Sequence, residues 1–306
     1  MLTVLISLLP AVAAGTYYFG IRALLLVLIC AFSCVVFEYF CRRIMKREQT
    51  ISDLSAAVTG VILALNLPVT LPFWMAIIGC FVAVVVVKQI FGGLGQNFAN
   101  PAIVARIFLM LSFTAAMTTW ALPHFWNVEE SSALISGSVS MSGDTVFTGA
   151  TPLVSQGASY ADLFFGNVGG CLGETSALAL LIGGVFLMVT RVISPAAPLS
   201  FIGSVALLTW ISGGDVLYQV LAGGLFLGAF FMATDYVTTP ITNKGKIIFG
   251  IGCGVITFII RRFGSFPEGV SFSILLMNIL TPYIDSFTRT KPIGAKPPVK
   301  EAKKNA

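Results

Sequence analysis

Long apolar runs separated by short polar turns dominate the chain. Ten are candidates for membrane crossing: 2–18, 23–40, 52–67, 73–90 and 101–120, then 174–190, 199–211, 218–233, 247–260 and 271–284. A helix needs about twenty apolar residues to cross the hydrocarbon, so several of these runs are short. The pattern predicts an all-α integral membrane protein of about ten transmembrane helices. The first run starts at Met1 with no basic residue before it, and Arg22 follows it. A signal peptide needs a positive leading region and a small-residue cleavage site, so this run reads as a retained span.

Composition agrees with the pattern. Hydrophobic residues make up 57% of the chain and charged residues 10%, which excludes an ordinary soluble enzyme. The net charge of +5 is not a nucleic-acid footprint, because the excess sits in short loops and the tail. Arg42, Arg43, Lys46 and Arg47 follow the second run, and Lys88 ends the fourth. Arg191 follows the sixth run, Lys244 and Lys246 the eighth, and more lysines fill the segment after Thr288. All fall on one side if both termini are cytoplasmic. The acidic loop 121–172, with Glu129, Glu130, Asp144 and Asp162, is then extracytoplasmic, and Thr151 with it. Arg22, Arg261 and Arg262 break this rule.

Five runs before the loop and five after it give the two halves opposite orientations. Run three ends in Asn66-Leu67-Pro68-Val69-Thr70-Leu71-Pro72, and run eight in Asp235-Tyr236-Val237-Thr238-Thr239-Pro240. Runs four and nine both lead into Phe-Gly, at Phe91-Gly92 and Phe263-Gly264. Paired interruptions of this kind point to two inverted five-helix repeats with broken helices, and to a site between them. The predicted organisation is repeat one at 1–120, the loop at 121–172, repeat two at 173–287 and a disordered cytoplasmic tail at 288–306.

Four groups of residues could carry chemistry. In Thr148-Gly149-Ala150-Thr151-Pro152-Leu153, preceded by Asp144, the small residues leave room for a bulky group. Pro152 restricts Thr151 to extended backbone, which should hold the hydroxyl away from the chain. Gly173-Glu174-Thr175-Ser176 opens the sixth run, with Glu174 in its first turn. It reads equally as an anion site at a helix N-terminus or as simple capping. Arg261 and Arg262, on the same face, would compensate an anion there or pair with a partner subunit. Asn97 and Asn100 lie three residues apart before Pro101 and can face one ligand or merely fix the loop.

The other polar residues carry blander readings. Glu38, Lys88, Arg106, Asp235 and Asp285 are expected to snorkel to the interface, with Asp235 also the choice for a cation-linked group. His124 reads as an interfacial residue. The six cysteines read as small apolar fillers. Cys30 and Cys34, one turn apart, supply at most half a metal site, so no metal is assigned.

The chain resembles the D subunits of Rnf ion-translocating ferredoxin:NAD oxidoreductase complexes. It is more distantly similar to the B subunit of the sodium-translocating NADH:quinone reductase. The likeness runs from the first span to Asp285. It rests on the threonine segment, on Gly92-Gly93-Leu94-Gly95-Gln96-Asn97-Phe98-Ala99-Asn100-Pro101, on Gly173-Glu174-Thr175-Ser176 and on Phe231-Met232-Ala233-Thr234-Asp235. The first of these motifs is the specific one. A start directly on the first span, with no long leader, favours the Rnf side.

The resemblance implies FMN esterified to Thr151 through its phosphate by a flavin transferase, with Thr148, Gly149, Ala150 and Asp144 around it. It implies the ten-helix inverted-repeat fold, and a second, non-covalent flavin, riboflavin, near Asn97, Asn100 and Asp235. It further implies a bacterial inner-membrane location, Na⁺ or H⁺ coupling, and partner subunits bearing flavin and iron–sulfur centres. Nicotinamide chemistry would fall to another subunit, since no dinucleotide fingerprint follows a strand here. The competing reading is a channel or secondary transporter of inverted-repeat architecture without a redox role.

Overall fold

The computed structural model describes residues 1–123, 148–149, 151–155, 157–264 and 268–288. Helix α1 spans Leu2–Phe19 and α2 spans Ile21–Ile44, with Gly20 between them at φ 74°. Helix α3, Ser55–Leu65, stops at Asn66, where the chain enters the segment holding Pro68 and Pro72. Proline cannot donate an amide to a helix, so the break is written locally. Helix α4, Phe73–Phe81, widens into a π-helix over Val82–Gln89. Helix α5, Pro101–Ser112, starts with Asn100 as its cap: the side chain accepts from the Ala102 amide at 3.0 Å, and proline takes the first helical position.

A two-stranded antiparallel ladder comes next. Strand β1, Trp120–Ala121, pairs with β2, Thr148–Gly149, which anchors the threonine segment to the end of the first half. The second half begins with α6, Ala177–Val189, capped by Ser176, so Glu174 lies before the helix rather than in its first turn. Helix α7 is Ala196–Ile211 and α8 is Val216–Leu221. After a break at Ala222–Gly224, a short helical piece, Leu225–Leu227, runs into a second π segment, Gly228–Met232. Helix α9 is Asn243–Phe263 and α10 is Val270–Thr288.

All ten apolar runs are helical over most of their length. Among the described residues, only α1, α2 and α10 are both long and apolar enough to cross a membrane unaided. The shortfall has several causes: the helices of runs four to seven are 10–17 residues long. Runs three and eight are broken, and α9 carries Lys244 and Lys246 at one end and Arg261 and Arg262 at the other.

Packing relates the halves. Helix α2 packs on α3 and α4, as α7 packs on α8 and α9; α1 meets α6, and α5 meets α10. The α7–α9 contact depends on Gly250 and Gly254. A Cβ on either would fall within 2 Å of the Ser200 or Ser204 hydroxyl oxygen. Small residues allow this approach where no hydrophobic driving force separates protein from lipid.

The expected snorkelling is overturned for Glu38, Lys88 and Arg106, while Asp235 and Asp285 are half-buried. Glu38, Lys88 and Arg106 are 1%, 1% and 4% exposed, and each is paired inside the protein. A charge this deep persists only with a partner. All six cysteines are buried and unbridged. His124, Glu129, Glu130, Asp144, Ala150 and the segment from Arg289 onward lie outside the described residues.

Candidate functional site

Two cavities among the described residues are joined by a buried polar path. The first cavity, about 1200 Å³ counting its open mouth, adjoins the threonine segment. Leu153, Thr209, Tyr218, Gln219, Arg261 and Arg262 line it. Thr151 lies between β2 and a short helical turn, Pro152–Ser155, and is 3% exposed. Its hydroxyl is therefore covered by the fold, not projected from it as the proline argument predicts. The turn is tied down by the Tyr218 hydroxyl, which donates to the Pro152 carbonyl at 2.8 Å.

Asp215, also on the lining, accepts from the Tyr160 hydroxyl and caps α8 through the Tyr218 amide at 3.1 Å. The Tyr160 hydrogen bond, then the backbone amide, hold its carboxyl below the usual range, and the same contact raises the Tyr160 hydroxyl.

The two arginines separate. The Arg261 Nε donates to the Glu268 carbonyl at 3.3 Å, Nη1 to the Gln219 carbonyl at 2.5 Å and Nη2 to the Ala222 carbonyl at 3.1 Å. It is fixed to the break between α8 and the second π segment. Arg262 is exposed, lines the cavity, and makes no side-chain hydrogen bond among the described residues.

The Gly173–Ser176 segment has its hydrogen bonds met within the chain. The Gly173 amide donates to the Leu65 carbonyl at 2.6 Å, closing the open end of α3. Thr175 donates to the Leu172 carbonyl, and Ser176 caps α6. The Glu174 carboxylate accepts from Arg106 at 2.7 Å. Arg106 also donates to Glu268 and, at 2.7 Å, to the Asn66 side chain. One guanidinium from α5 thus fastens the end of α3, the approach to α6 and the approach to α10. Of the two readings open from sequence, this geometry supplies the capping one.

The second cavity, about 740 Å³ counting its mouth, gathers residues from both halves. Lys88, Asn97, Asn100, Phe230, Phe231 and Asp235 are on its lining. The structure brings Asn97, Asn100 and Asp235 together on this lining. Asn100 is held on several sides. Its Nδ2 donates to the Met232 carbonyl at 3.4 Å, and its amide faces Asn278, which in turn reaches the Thr238 carbonyl. Asn97 differs: it is buried, yet its Oδ1 has no hydrogen-bond partner among the described residues. A buried acceptor left unmet costs about 1–3 kcal/mol, so such an atom points to a ligand or water. Asp235 accepts from the Thr238 hydroxyl at 3.2 Å and borders a third cavity as well.

A chain of contacts links the cavities. It runs from Asn100 to the Met232 carbonyl, from Met232 Sδ to the Asn66 amide at 3.9 Å, and on through Arg106 and Glu268 to Arg261. Sequence reasoning missed Glu268, Tyr218 and the role of Lys88. The signal available for them was weak: a Phe-Pro-Glu-Gly loop and a lysine ending an apolar run.

Broken helices, two π segments and a charged interior between two cavities define an integral membrane protein built around buried polar sites. The chain belongs to the NQR2, RnfD, RnfE family, whose sequence profile matches residues 1–294. It is 46% identical over 306 residues to the D subunit of the Na(+)-translocating ferredoxin:NAD(+) oxidoreductase complex of Acetobacterium woodii, covering 99% of this chain and 92% of that one. It is 41% identical over 318 residues to the D subunit of the proton-translocating ferredoxin:NAD(+) oxidoreductase complex of Clostridium ljungdahlii, covering 97% and 91%. It is 39% identical over 322 residues to the D subunit of the ion-translocating oxidoreductase complex of Stutzerimonas stutzeri, covering 96% and 91%.

Proposed function

We propose that this chain is the membrane flavoprotein subunit of a redox-driven ion-translocating complex of the ferredoxin:NAD oxidoreductase type. It relays electrons through FMN esterified to Thr151 and through a non-covalent flavin, riboflavin, with Na⁺ or H⁺ movement coupled to the relay. Its partners are the other subunits, carrying flavin and iron–sulfur centres, and a flavin transferase that loads Thr151. The observation that carries this reading is the likeness, along almost the whole chain, to D subunits of ion-translocating oxidoreductase complexes.

The residues present suit both flavins. Beside the threonine segment, Arg262 offers an uncommitted cation for a phosphoester, and Tyr218 fixes the turn that follows Thr151. In the other cavity, the open Oδ1 of Asn97 matches a ring N–H, and Phe230 and Phe231 supply apolar walls. A bound flavin supplies the reversible electron chemistry; the protein supplies position and field. Asp235, with Thr238 against it, is the cation-linked group of this proposal.

The halves form two inverted repeats of five helices in the inner membrane, with both termini cytoplasmic and the Thr151 loop outside. Support comes from the packing. In a pair of repeats related by a two-fold axis, elements near the axis meet their own counterparts, as α1 meets α6 and α5 meets α10.

Broken helices also serve channels and secondary transporters, and one experiment separates the readings. The protein, expressed with its transferase, is run on a denaturing gel under ultraviolet light. Fluorescence that survives denaturation and vanishes in Thr151→Val supports the flavoprotein. A dark band for the unmodified chain overturns the covalent flavin and leaves the transporter ahead.

A further inference from the structure

Both π segments among the described residues border the same cavity. Val82–Gln89 contributes Lys88, and Gly228–Met232 contributes Phe230 and Phe231. A π turn adds a residue to the helix and rotates the residues after it, and such turns gather at functional sites. Here the rotation carries a lysine and a glutamine inward: Lys88 is 1% exposed and Gln89 is 0%.

The surroundings of Lys88 fix its aim. Its Nζ donates to Glu38 Oε2 at 3.1 Å and to Ser55 Oγ at 2.6 Å. An ammonium has three N–H groups, and the third has no acceptor among the described residues. Glu38 is itself held from behind: Gln89 Nε2 donates to it at 2.9 Å, the Thr50 hydroxyl at 3.1 Å, and Arg42 stands 3.7 Å away. A buried ion pair persists when further hydrogen bonds satisfy its remaining groups, and Glu38 has that full set. The unmet acceptor of Asn97 borders the same space, so the cavity offers one free donor and one free acceptor.

Resting on the reading of this cavity as the non-covalent flavin site, we infer that Lys88 is a positioning residue that sets the redox potential of that flavin. Two electrons from the upstream reduced centre of the complex and one proton from water leave the isoalloxazine with one negative charge. Lys88 supplies a fixed cation for that charge in a site of low dielectric, where a point charge acts far more strongly than in water. Glu38 and Ser55 hold it in place and make its burial tolerable.

The test uses the assembled complex. Non-covalent flavin is released by denaturation and quantified, and its potential in the intact complex is measured by spectroscopic redox titration. Lys88→Gln is expected to shift the equilibrium at least tenfold toward the oxidised form, about 30 mV more negative for a two-electron couple. Lys88→Arg should restore most of the shift, and the covalent FMN should not move.

If Lys88→Gln fails to assemble, the pair Glu38→Gln with Lys88→Met removes both members of the Lys88–Glu38 ion pair, leaves Arg42 on the Glu48 carbonyl, and should lower the potential in the same direction. Flavin present with an unmoved potential, in whichever of these variants assembles, overturns the role of Lys88. Absence of releasable flavin from the unmodified complex overturns the underlying reading instead.

Discussion

Arg22, in the first turn of α2, donates from Nε to the carbonyl of Val69 at 2.7 Å and from Nη2 to that of Leu71 at 3.2 Å. Its guanidinium also lies 4.9 Å from the Phe73 ring centroid. The residue that breaks the charge rule near the N-terminus thus serves the break after α3, where carbonyls have lost their helical partners. Arg261 does the same for Gln219 and Ala222 in the other half. Two of the three exceptions to the topology rule are guanidinium caps on interrupted helices.

Replacing Arg22 by Met should therefore destabilise the protein by roughly 1–3 kcal/mol for each carbonyl left buried and unmet. Thermal unfolding of the detergent-solubilised chain measures it. Arg22→Lys should fall between the two, since an ammonium cannot span both carbonyls with a planar fork. Equal melting of all three forms would contradict the capping role.

Arg106 holds Glu174 and Glu268 together. Arg106→Gln leaves two carboxylates buried without a cation and should cost on the order of 3–5 kcal/mol. The triple change with Glu174→Gln and Glu268→Gln should recover much of that loss, because no charge remains uncompensated. The comparison is read from the melting temperatures of the two variants.

Gly173 sits between the broken elements of both halves. A Cβ there would meet Leu65 Cβ at 2.8 Å and Leu227 Cδ2 at 2.9 Å. Overpacking at such a point costs about 1–3 kcal/mol, so Gly173→Ala should lower stability. An unchanged melting curve would show that the two ends can part freely.

The adjacent arginines should respond differently. Arg261→Gln unties three backbone carbonyls and should cost roughly 1–3 kcal/mol for each one left buried and unmet, without, on the proposed reading, abolishing FMN attachment. Arg262→Gln should stay within about 0.5 kcal/mol in stability, as exposed substitutions do, but, on the proposed flavoprotein reading, make an FMN on Thr151 harder to reduce. Melting curves paired with a redox titration read both, and a reversal of the two effects would exchange the roles.

Tyr218→Phe removes the donor to the Pro152 carbonyl. The expected loss is about 1 kcal/mol in stability, with fewer chains carrying gel-fluorescent flavin. Fluorescence per chain equal to that of the unmodified protein would show that the threonine turn holds itself.

The positions of the helices were legible because each apolar run is a local statement, and so were the interruptions at Pro68, Pro72 and Pro240; the break at Ala222–Gly224, inside run eight, was not. The nearness of Asn97 and Asn100 to Asp235 was implied only by the family resemblance, since no local pattern joins residues so far apart in the chain. The burial of Lys88 and Arg106 was not legible, because a cation near the end of an apolar run looks the same whether it turns toward the interface or inward. The place of Glu174 just before its helix was hidden by the run of small polar residues around it, which does not show where the helix begins.

By itself, the sequence determined that the chain lies in a membrane, where its helices are interrupted, and which threonine resembles a flavin acceptor. Those properties depend on residues adjacent in the chain. Only the tertiary structure decided which cations are met and which remain available. A buried charge is settled by partners 33 to 162 residues away, as Lys88 is by Ser55 and Glu38 and Arg106 by Glu268. No local pattern encodes such a distance.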